Sequence, residues 1–137
     1  MNRARVMTRL VTDEGLRLKP YRCPAGRLTI GVGRNLDDRG VTEPEAMLLL
    51  GDDVDECWKR LSTALPWLAV APEPVQEALV NMAFNLGVAG LLTFKQTLSL
   101  IQGGQYAKAA AAMLQSEWAG QVGARARRLA DVVRAAR

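Results

Sequence analysis

Histidine is absent from the 137-residue sequence, and its absence limits the chemistry that the chain can perform. Without imidazole, neither a Ser-His-Asp nor a Cys-His catalytic group can form, and zinc enzymes that use histidine ligands are excluded. Any acid–base chemistry near neutral pH must therefore come from carboxylates, a thiol, lysine or tyrosine.

Cysteine is scarce, and long hydrophobic runs are missing. Cys23 and Cys57 lack the paired spacing of a zinc site and are too few for a disulfide framework. No stretch approaches the ~20 consecutive apolar residues of a membrane-spanning helix. The basic residues 1–15 contain neither an uninterrupted apolar stretch nor a small-residue cleavage site, so they are not typical of a signal peptide. We therefore expect a cytoplasmic chain without stable membrane insertion.

The length of 137 residues fits one domain. The composition, with 49% hydrophobic and 23% charged residues, is ordinary for a globular chain. The charge is unevenly distributed along the chain. Residues 1–34 carry eight basic and two acidic side chains. Residues 35–77 carry three basic and ten acidic side chains, and residues 78–137 carry seven basic and two acidic ones. Two interpretations fit this distribution: a solvated surface with charged patches, or basic ends that attract a polyanion over long range.

The first third of the chain predicts a helix followed by a hairpin. Apolar residues at helical spacing predict a helix over residues 2–13 that ends beside Glu14. The period changes in "RLTIGVG", which predicts a strand with Thr29 on its polar side. Pro and Gly at the second and fourth positions of "CPAG" fit a type I turn, so we expect a hairpin over residues 19–33. The buried face of its strand should consist of Leu28, Ile30 and Val32.

Helices are predicted for most of the remaining chain, after a loop at "RNLDDRG". Thr42 and Glu45 have the spacing of a capping box, which starts one helix, and a second helix is predicted over residues 52–65. Residues 73–86 are apolar on nearly every side, which predicts a central buried helix capped by Gly87. Further helices are expected over residues 91–102, 106–118 and 125–134. The predicted fold class is therefore α+β and predominantly helical.

The segment "DEGLRLKPYRCPAGRLTIGVG" closely resembles the catalytic segment of the phage-type lysozymes, or endolysins, of glycoside hydrolase family 24. In that family a Glu is followed after eight residues by Asp or Cys, and after five more by Thr-Ile-Gly. Glu14, Cys23 and Thr29 match this spacing. "ALVNMAFNLGVAGLLTF" is similar to the family's core helix and the turn after it, and "SEWAGQVGARARRL" resembles the segment that closes the cleft. The resemblance implies one lysozyme-like domain over residues 1–137, with a small hairpin lobe at 13–40 and a helical lobe at 52–137.

The resemblance also implies an activity and a set of site residues. The expected reaction is hydrolysis of the β-1,4 bond between N-acetylmuramic acid and N-acetylglucosamine in peptidoglycan. Glu14 would donate the proton, while Cys23 and Thr29 would hold the attacking water; whether Cys23 acts as base, water holder or nucleophile stays open. No metal or organic cofactor is implied. Candidate substrate contacts are Phe84 and Asn85 on the core helix, and Arg125, which matches an Arg near the family's catalytic Glu.

As an endolysin the chain would serve bacterial cell-wall lysis and phage release. It would be a monomer held in the host cytoplasm before lysis, and a separate holin would give it access to peptidoglycan in the periplasmic cell wall. One departure from the family concerns Arg34, which stands where many members have His. Arg is permanently charged, so a pH-titrating pair at this position is lost.

Three alternative functions remain open at this point. A lytic transglycosylase would use one Glu and release an anhydro-sugar instead of adding water. An inactive lysozyme-like domain would bind the cell wall without cleaving it. A helical nucleic-acid module would use "RARRLADVVRAAR" on phosphates, but no base-reading motif accompanies this run, and we expect no nucleic-acid partner.

Overall fold

The computed structural model describes all residues from Met1 to Arg137. It contains eight α-helices, one 3₁₀ helix and a three-stranded antiparallel sheet, which confirms the predicted helix-rich α+β fold with its small hairpin. The chain divides into a first unit, residues 1–49, and a second unit, residues 50–137. The prediction that residues 1–137 act as a single domain stays a prediction.

The first unit contains the sheet. Its elements are α1 (Arg3–Glu14), β1 (Arg17–Arg22), β2 (Leu28–Gly31), β3 (Arg34–Asn35) and the beginning of α2 (Glu43–Ala64). The prediction of two helices between residues 43 and 65 was wrong, because α2 is one continuous helix of 22 residues. Gly51 does not end it. A glycine inside a helix costs only about 0.5–1 kcal/mol relative to alanine, whereas two helix ends would leave several backbone groups without partners.

The predicted turn between β1 and β2 is confirmed. The Gly26 N–H donates to the Cys23 carbonyl at 2.8 Å, and the Cys23 N–H donates to the Arg27 carbonyl at 3.0 Å. Gly26 has a φ of +78°, in the left-handed region that glycine adopts without strain. A three-residue hairpin loop that ends in such a glycine is a common strand connection. The loop therefore fixes where Cys23 leaves β1.

The sheet differs from the prediction in two respects. The expected loop at 34–40 begins with a short strand, β3, which pairs with β2. The expected burial of the apolar face of β2 was also wrong. Thr29 is the buried residue, at 3% exposed, while Leu28 and Ile30 are only half-buried and Val32 is exposed. Tyr21 on β1 and Asn35 on β3 lie directly opposite Thr29, so their side chains flank it on the same face of the sheet.

The second unit is entirely helical after α2. Helix α3 (Glu73–Leu86) is largely buried and ends at Gly87, as predicted. The single helices predicted over 91–102 and 106–118 are each broken, because the Thr93 and Ser116 hydroxyls bond backbone carbonyls and compete with the helical ladder. None of the helices is both long enough and apolar enough to span a bilayer. The other elements are a 3₁₀ helix (Pro66–Val70), α4 (Val88–Leu92), α5 (Lys95–Gln102), α6 (Tyr106–Leu114), α7 (Glu117–Val122) and α8 (Ala124–Arg134).

Candidate active site

Three residues singled out from the sequence line one cavity of the first unit. This cavity has a volume of about 420 Å³, and Glu14, Cys23 and Thr29 all contribute to its wall. The structure therefore brings these three side chains together, while their catalytic roles stay predictions. The other lining residues are Arg17, Tyr21, Pro24, Gly33 and Asn35.

The register of the sheet explains why several of these side chains share one face. Tyr21 on β1 lies opposite Thr29 on β2, and Thr29 lies opposite Asn35 on β3. Side chains directly opposite each other in a sheet project from the same face. Cys23 follows Tyr21 by two residues, and the alternation of an extended chain places it on that side as well. The sheet thus presents a thiol and a hydroxyl toward the cavity.

Glu14 reaches the cavity from the end of α1. Helix α1 stops at Gly15, which has a φ of +79° and donates its N–H to the Val11 carbonyl. Glu14 is therefore the last residue of the helix, and it is exposed. The backbone at Gly33 lies against it: a β-carbon at position 33 would be 3.0 Å from Glu14 Oε2 and 3.3 Å from its Cδ. The turn between β2 and β3 consequently forms one wall beside the carboxylate.

Cys23 carries a free, half-buried thiol. A hydrogen bond from the backbone of Arg27 is the main cause that lowers the pKa of the Cys23 thiol below its ordinary value, and desolvation opposes it. The Thr29 hydroxyl donates its proton to the Arg27 carbonyl at 2.9 Å, so we attribute the lowered pKa to the Arg27 backbone and not to Thr29. The lone pairs of the Thr29 oxygen stay free to accept a hydrogen bond.

The remaining polar groups of the cavity are held in place. The Arg17 guanidinium lies over the Tyr21 ring, with Cζ 4.5 Å from the ring centroid, in a cation–π contact. The Asn35 amide both donates to and accepts from Asp38, at 2.9 and 3.0 Å. Sequence reasoning missed Arg17, Tyr21, Gly33 and Asn35. Tyr21 and Asn35 could have been assigned to the same face as Thr29 if the register between the three strands had been known from the sequence.

Arg34, which follows Gly33, connects the end of the β2–β3 turn to the start of α2. Its guanidinium donates two parallel hydrogen bonds to Glu45, at 2.8 and 2.9 Å, and a third to the Gly40 carbonyl at 3.1 Å. Glu45 also accepts from the Thr42 N–H, and the Thr42 hydroxyl accepts from the Glu45 N–H, so the predicted capping box is confirmed. The hydrogen bonds from Arg34 are the main cause that lowers the pKa of Glu45 from its ordinary 4.5 to about 2.

This lowered pKa predicts a component of stability that is lost in acid. Because the folded-state pKa of Glu45 lies below the unfolded value, its contribution is complete above about pH 4.5 and disappears as the pH falls to about 2. We expect the difference in Tm between wild type and Glu45→Gln to narrow across this window, as measured by circular dichroism. Glu43→Gln, in the same helical turn but without an ion pair, is the matched control. A Tm difference between wild type and Glu45→Gln that stays constant down to pH 2 would contradict the prediction.

The three candidate substrate contacts lie in the second unit. Phe84 is 48% exposed and is not a core residue. It lines a groove of about 460 Å³ together with Arg125. Arg125 donates to the side chain and backbone carbonyl of Asn81, at 2.9 and 3.1 Å. Asn85 accepts a hydrogen bond from the Trp118 indole at 2.9 Å, so its carbonyl oxygen already has a partner. Their roles in binding substrate stay predictions.

Comparison with known proteins agrees with these features. The model of the phage lysozyme family matches residues 11–132. "Probable T4-type lysozyme 1" of Dictyostelium discoideum is 28% identical, over 88% of both chains. The endolysin of Acyrthosiphon pisum secondary endosymbiont phage 1 is 30% identical over 74% of this chain and 70% of its own length. The pre-baseplate central spike protein Gp5 of Enterobacteria phage T4 is 29% identical over 88% of this chain but only 26% of its own. The chain therefore belongs to the phage lysozyme family, and it is a lysozyme-type glycoside hydrolase.

Proposed function

We propose that this lysozyme cleaves the β-1,4 bond between N-acetylmuramic acid and N-acetylglucosamine, with Glu14 as the proton donor. Cleavage of a glycosidic bond needs a proton on the leaving oxygen while positive charge builds on the sugar. The observation that carries the proposal is the shared cavity of Glu14, Cys23 and Thr29, in which Glu14 supplies the only carboxyl group among the lining residues.

Cys23 and Thr29 are proposed to serve the attacking water. In an inverting mechanism the water attacks from the ring face opposite the acid, and a second group accepts its proton. An ordinary thiol is mostly neutral at pH 7, but the lowered pKa of the Cys23 thiol increases the fraction that can accept a proton. The Thr29 oxygen supports the same water, since its own proton is held by the Arg27 carbonyl.

Replacing the thiol tests this role. We expect Cys23→Ser to lower kcat about tenfold, less than the ~10²–10⁴-fold typical of a lost general base, because the serine hydroxyl can still hold the water. Cys23→Asp should retain activity, since an Asp carboxylate with an ordinary pKa of about 3.9 is ionised at pH 7 and is therefore available as a proton acceptor. Clearing of outer-membrane-stripped cells is the measurement, and Cys57→Ser, whose half-buried thiol lies in the second unit, is the control. A Cys23→Ser protein with unchanged kcat would remove the thiol from the mechanism.

The products of purified peptidoglycan distinguish the proposed reaction from its alternatives. Hydrolysis between the two sugars leaves reducing N-acetylmuramic acid ends, and in heavy-oxygen water these ends carry the label by mass spectrometry. Unlabelled 1,6-anhydro ends would instead identify a lytic transglycosylase. Reducing N-acetylglucosamine ends would mean that the other glycosidic bond is cut. Binding to the wall without new ends, in wild type as in Glu14→Gln, would identify a non-catalytic wall-binding domain.

The proposed biological role is host-cell lysis as an endolysin. The similarity to a phage endolysin supports this role, and the basic residues at 1–34 and 78–137 suit a negatively charged envelope. On this proposal the protein is a monomer that collects in the cytoplasm and crosses the membrane through a holin. Expression in a Gram-negative host should therefore cause lysis with a co-expressed holin, and much less without one.

A further inference from the structure

Gly33 lies next to the Glu14 carboxylate on one side and precedes Arg34 in the chain. Gly33 has a φ of +66°. Its α-carbon is so close to Glu14 that a β-carbon at this position would lie only 3.0 Å from Glu14 Oε2. The next residue, Arg34, pairs with Ile30 across the β2–β3 ladder. The position of the wall beside Glu14 therefore depends on what holds Arg34.

The Arg34 guanidinium donates two hydrogen bonds to the Glu45 carboxylate and a third to the Gly40 carbonyl. We call these three hydrogen bonds the Arg34 clamp. A bidentate Arg–carboxylate pair fixes orientation as well as distance, which a single-point lysine contact cannot do. The Arg34 side chain is only 23% exposed, so water competes less for this pair than at an open surface. Glu45 in turn is fixed by the Thr42 capping box at the start of α2.

We propose that Arg34 is a positioning residue for Glu14: the Arg34 clamp holds the Gly33 backbone against the carboxylate and so fixes the direction in which Glu14 delivers its proton. The inference rests on the proposed role of Glu14 as the acid. Its physical basis is that Glu14 is exposed at the end of α1, where a glutamate side chain otherwise has several rotamers available. A wall on one side removes some of these rotamers and leaves the carboxylate directed along the cavity.

A double-mutant cycle tests the clamp. We expect Arg34→Gln, Glu45→Gln and the double variant each to lower kcat by about tenfold with KM changed less than twofold, because misplacement of a reacting group by ~1 Å can cost about 10²-fold. The losses should not add, since either substitution alone opens the clamp. Arg34→Lys should resemble Arg34→Gln, because it keeps the charge but loses the bidentate geometry. The control is Arg134→Gln, which removes an exposed arginine–carboxylate pair at the end of α8.

A purely structural role predicts a different result. In that case the variants would show lower Tm but unchanged kcat at a temperature where circular dichroism shows them folded, and the proposal would be overturned. Additive losses in the double variant would also contradict it. A second readout does not depend on turnover: the carboxyl carbon of Glu14, observed by NMR, should shift in Arg34→Gln and not in Arg134→Gln. An unchanged signal in both would reject contact through Gly33.

The same experiment separates this inference from the proposed function. If Glu14→Gln is inactive while Arg34→Gln has wild-type kcat, Glu14 is the acid but the clamp does not position it. If Glu14→Gln keeps its activity, the assignment of the acid itself is wrong, whatever the Arg34 variants do.

Discussion

Glu14→Gln is expected to lower kcat by about 10³-fold, within the range of ~10²–10⁴ that a general acid contributes. Glutamine has nearly the same size and so fits in the same space beside Gly33, but it has no acidic proton to give to the leaving oxygen. No other carboxyl group lines the cavity that could replace it. The rate of release of reducing ends from purified peptidoglycan is the measurement, with substrate binding to sacculi as a second readout.

The matched control for this prediction is Asp13→Asn, which removes the preceding carboxylate of α1. Asp13 is exposed and does not line the cavity, so its substitution should leave kcat within twofold, roughly as expected for a surface position. Both variants should keep the Tm of the wild type, because both side chains are exposed. Comparable kcat in Glu14→Gln and wild type would require a different proton donor.

The parts of the site that could be predicted from the sequence are those set by local spacing. The "CPAG" turn is decided by the conformations open to proline and glycine, so the hairpin and the place of Cys23 followed from four adjacent residues. The position of Glu14 at the end of α1 followed from the helical spacing of the apolar residues before it. The capping box at Thr42 and Glu45 is equally local.

The parts that could not be predicted depend on register and on contacts between distant residues. Arg34 and Glu45 are eleven residues apart, and nothing in either residue's own neighbourhood marks the pair. The place of Asn35 on the cavity face depends on a two-residue strand that is too short to produce a periodic pattern. Thr29 is flanked on its own face by Tyr21 and Asn35, whereas alternation alone assigns two faces without saying which one is covered.

The presence of Arg at position 34, where the resemblance implies His in many members of the family, has a physical consequence. A histidine would carry its charge only below about pH 6.5, whereas the guanidinium stays charged and Glu45 stays ionised down to about pH 2. The pair therefore remains intact across the neutral and alkaline range. In Arg34→His the ion pair with Glu45 would be lost as the pH rises above about 6.5, whereas the wild-type pair keeps both of its charges in this range.

Substitution of Gly33 should produce the second large loss of activity. In Gly33→Ala the new β-carbon would lie 3.0 Å from Glu14 Oε2, so the carboxylate must move by a few tenths of an ångström. Because the carboxylate ends a flexible side chain, this movement costs little stability but displaces the proton donor. In Gly33→Leu the longer side chain must displace it further and occupy part of the cavity. We expect kcat to fall about tenfold for alanine and about 10²-fold for leucine, in line with the cost of a ~1 Å misplacement.

The control for Gly33 is Gly31→Ala, because it separates backbone strain from contact with Glu14. Gly31 has a φ of +69°, close to the +66° of Gly33, but a β-carbon there would meet nothing within 4 Å. Both alanine variants should therefore lose about 1–3 kcal/mol of stability from the strained backbone, and only Gly33→Ala should also lose kcat. Equal kcat in the two folded proteins would show that the wall beside Glu14 does not matter for proton delivery. A loss confined to Gly33→Ala and growing with side-chain size would show that it does.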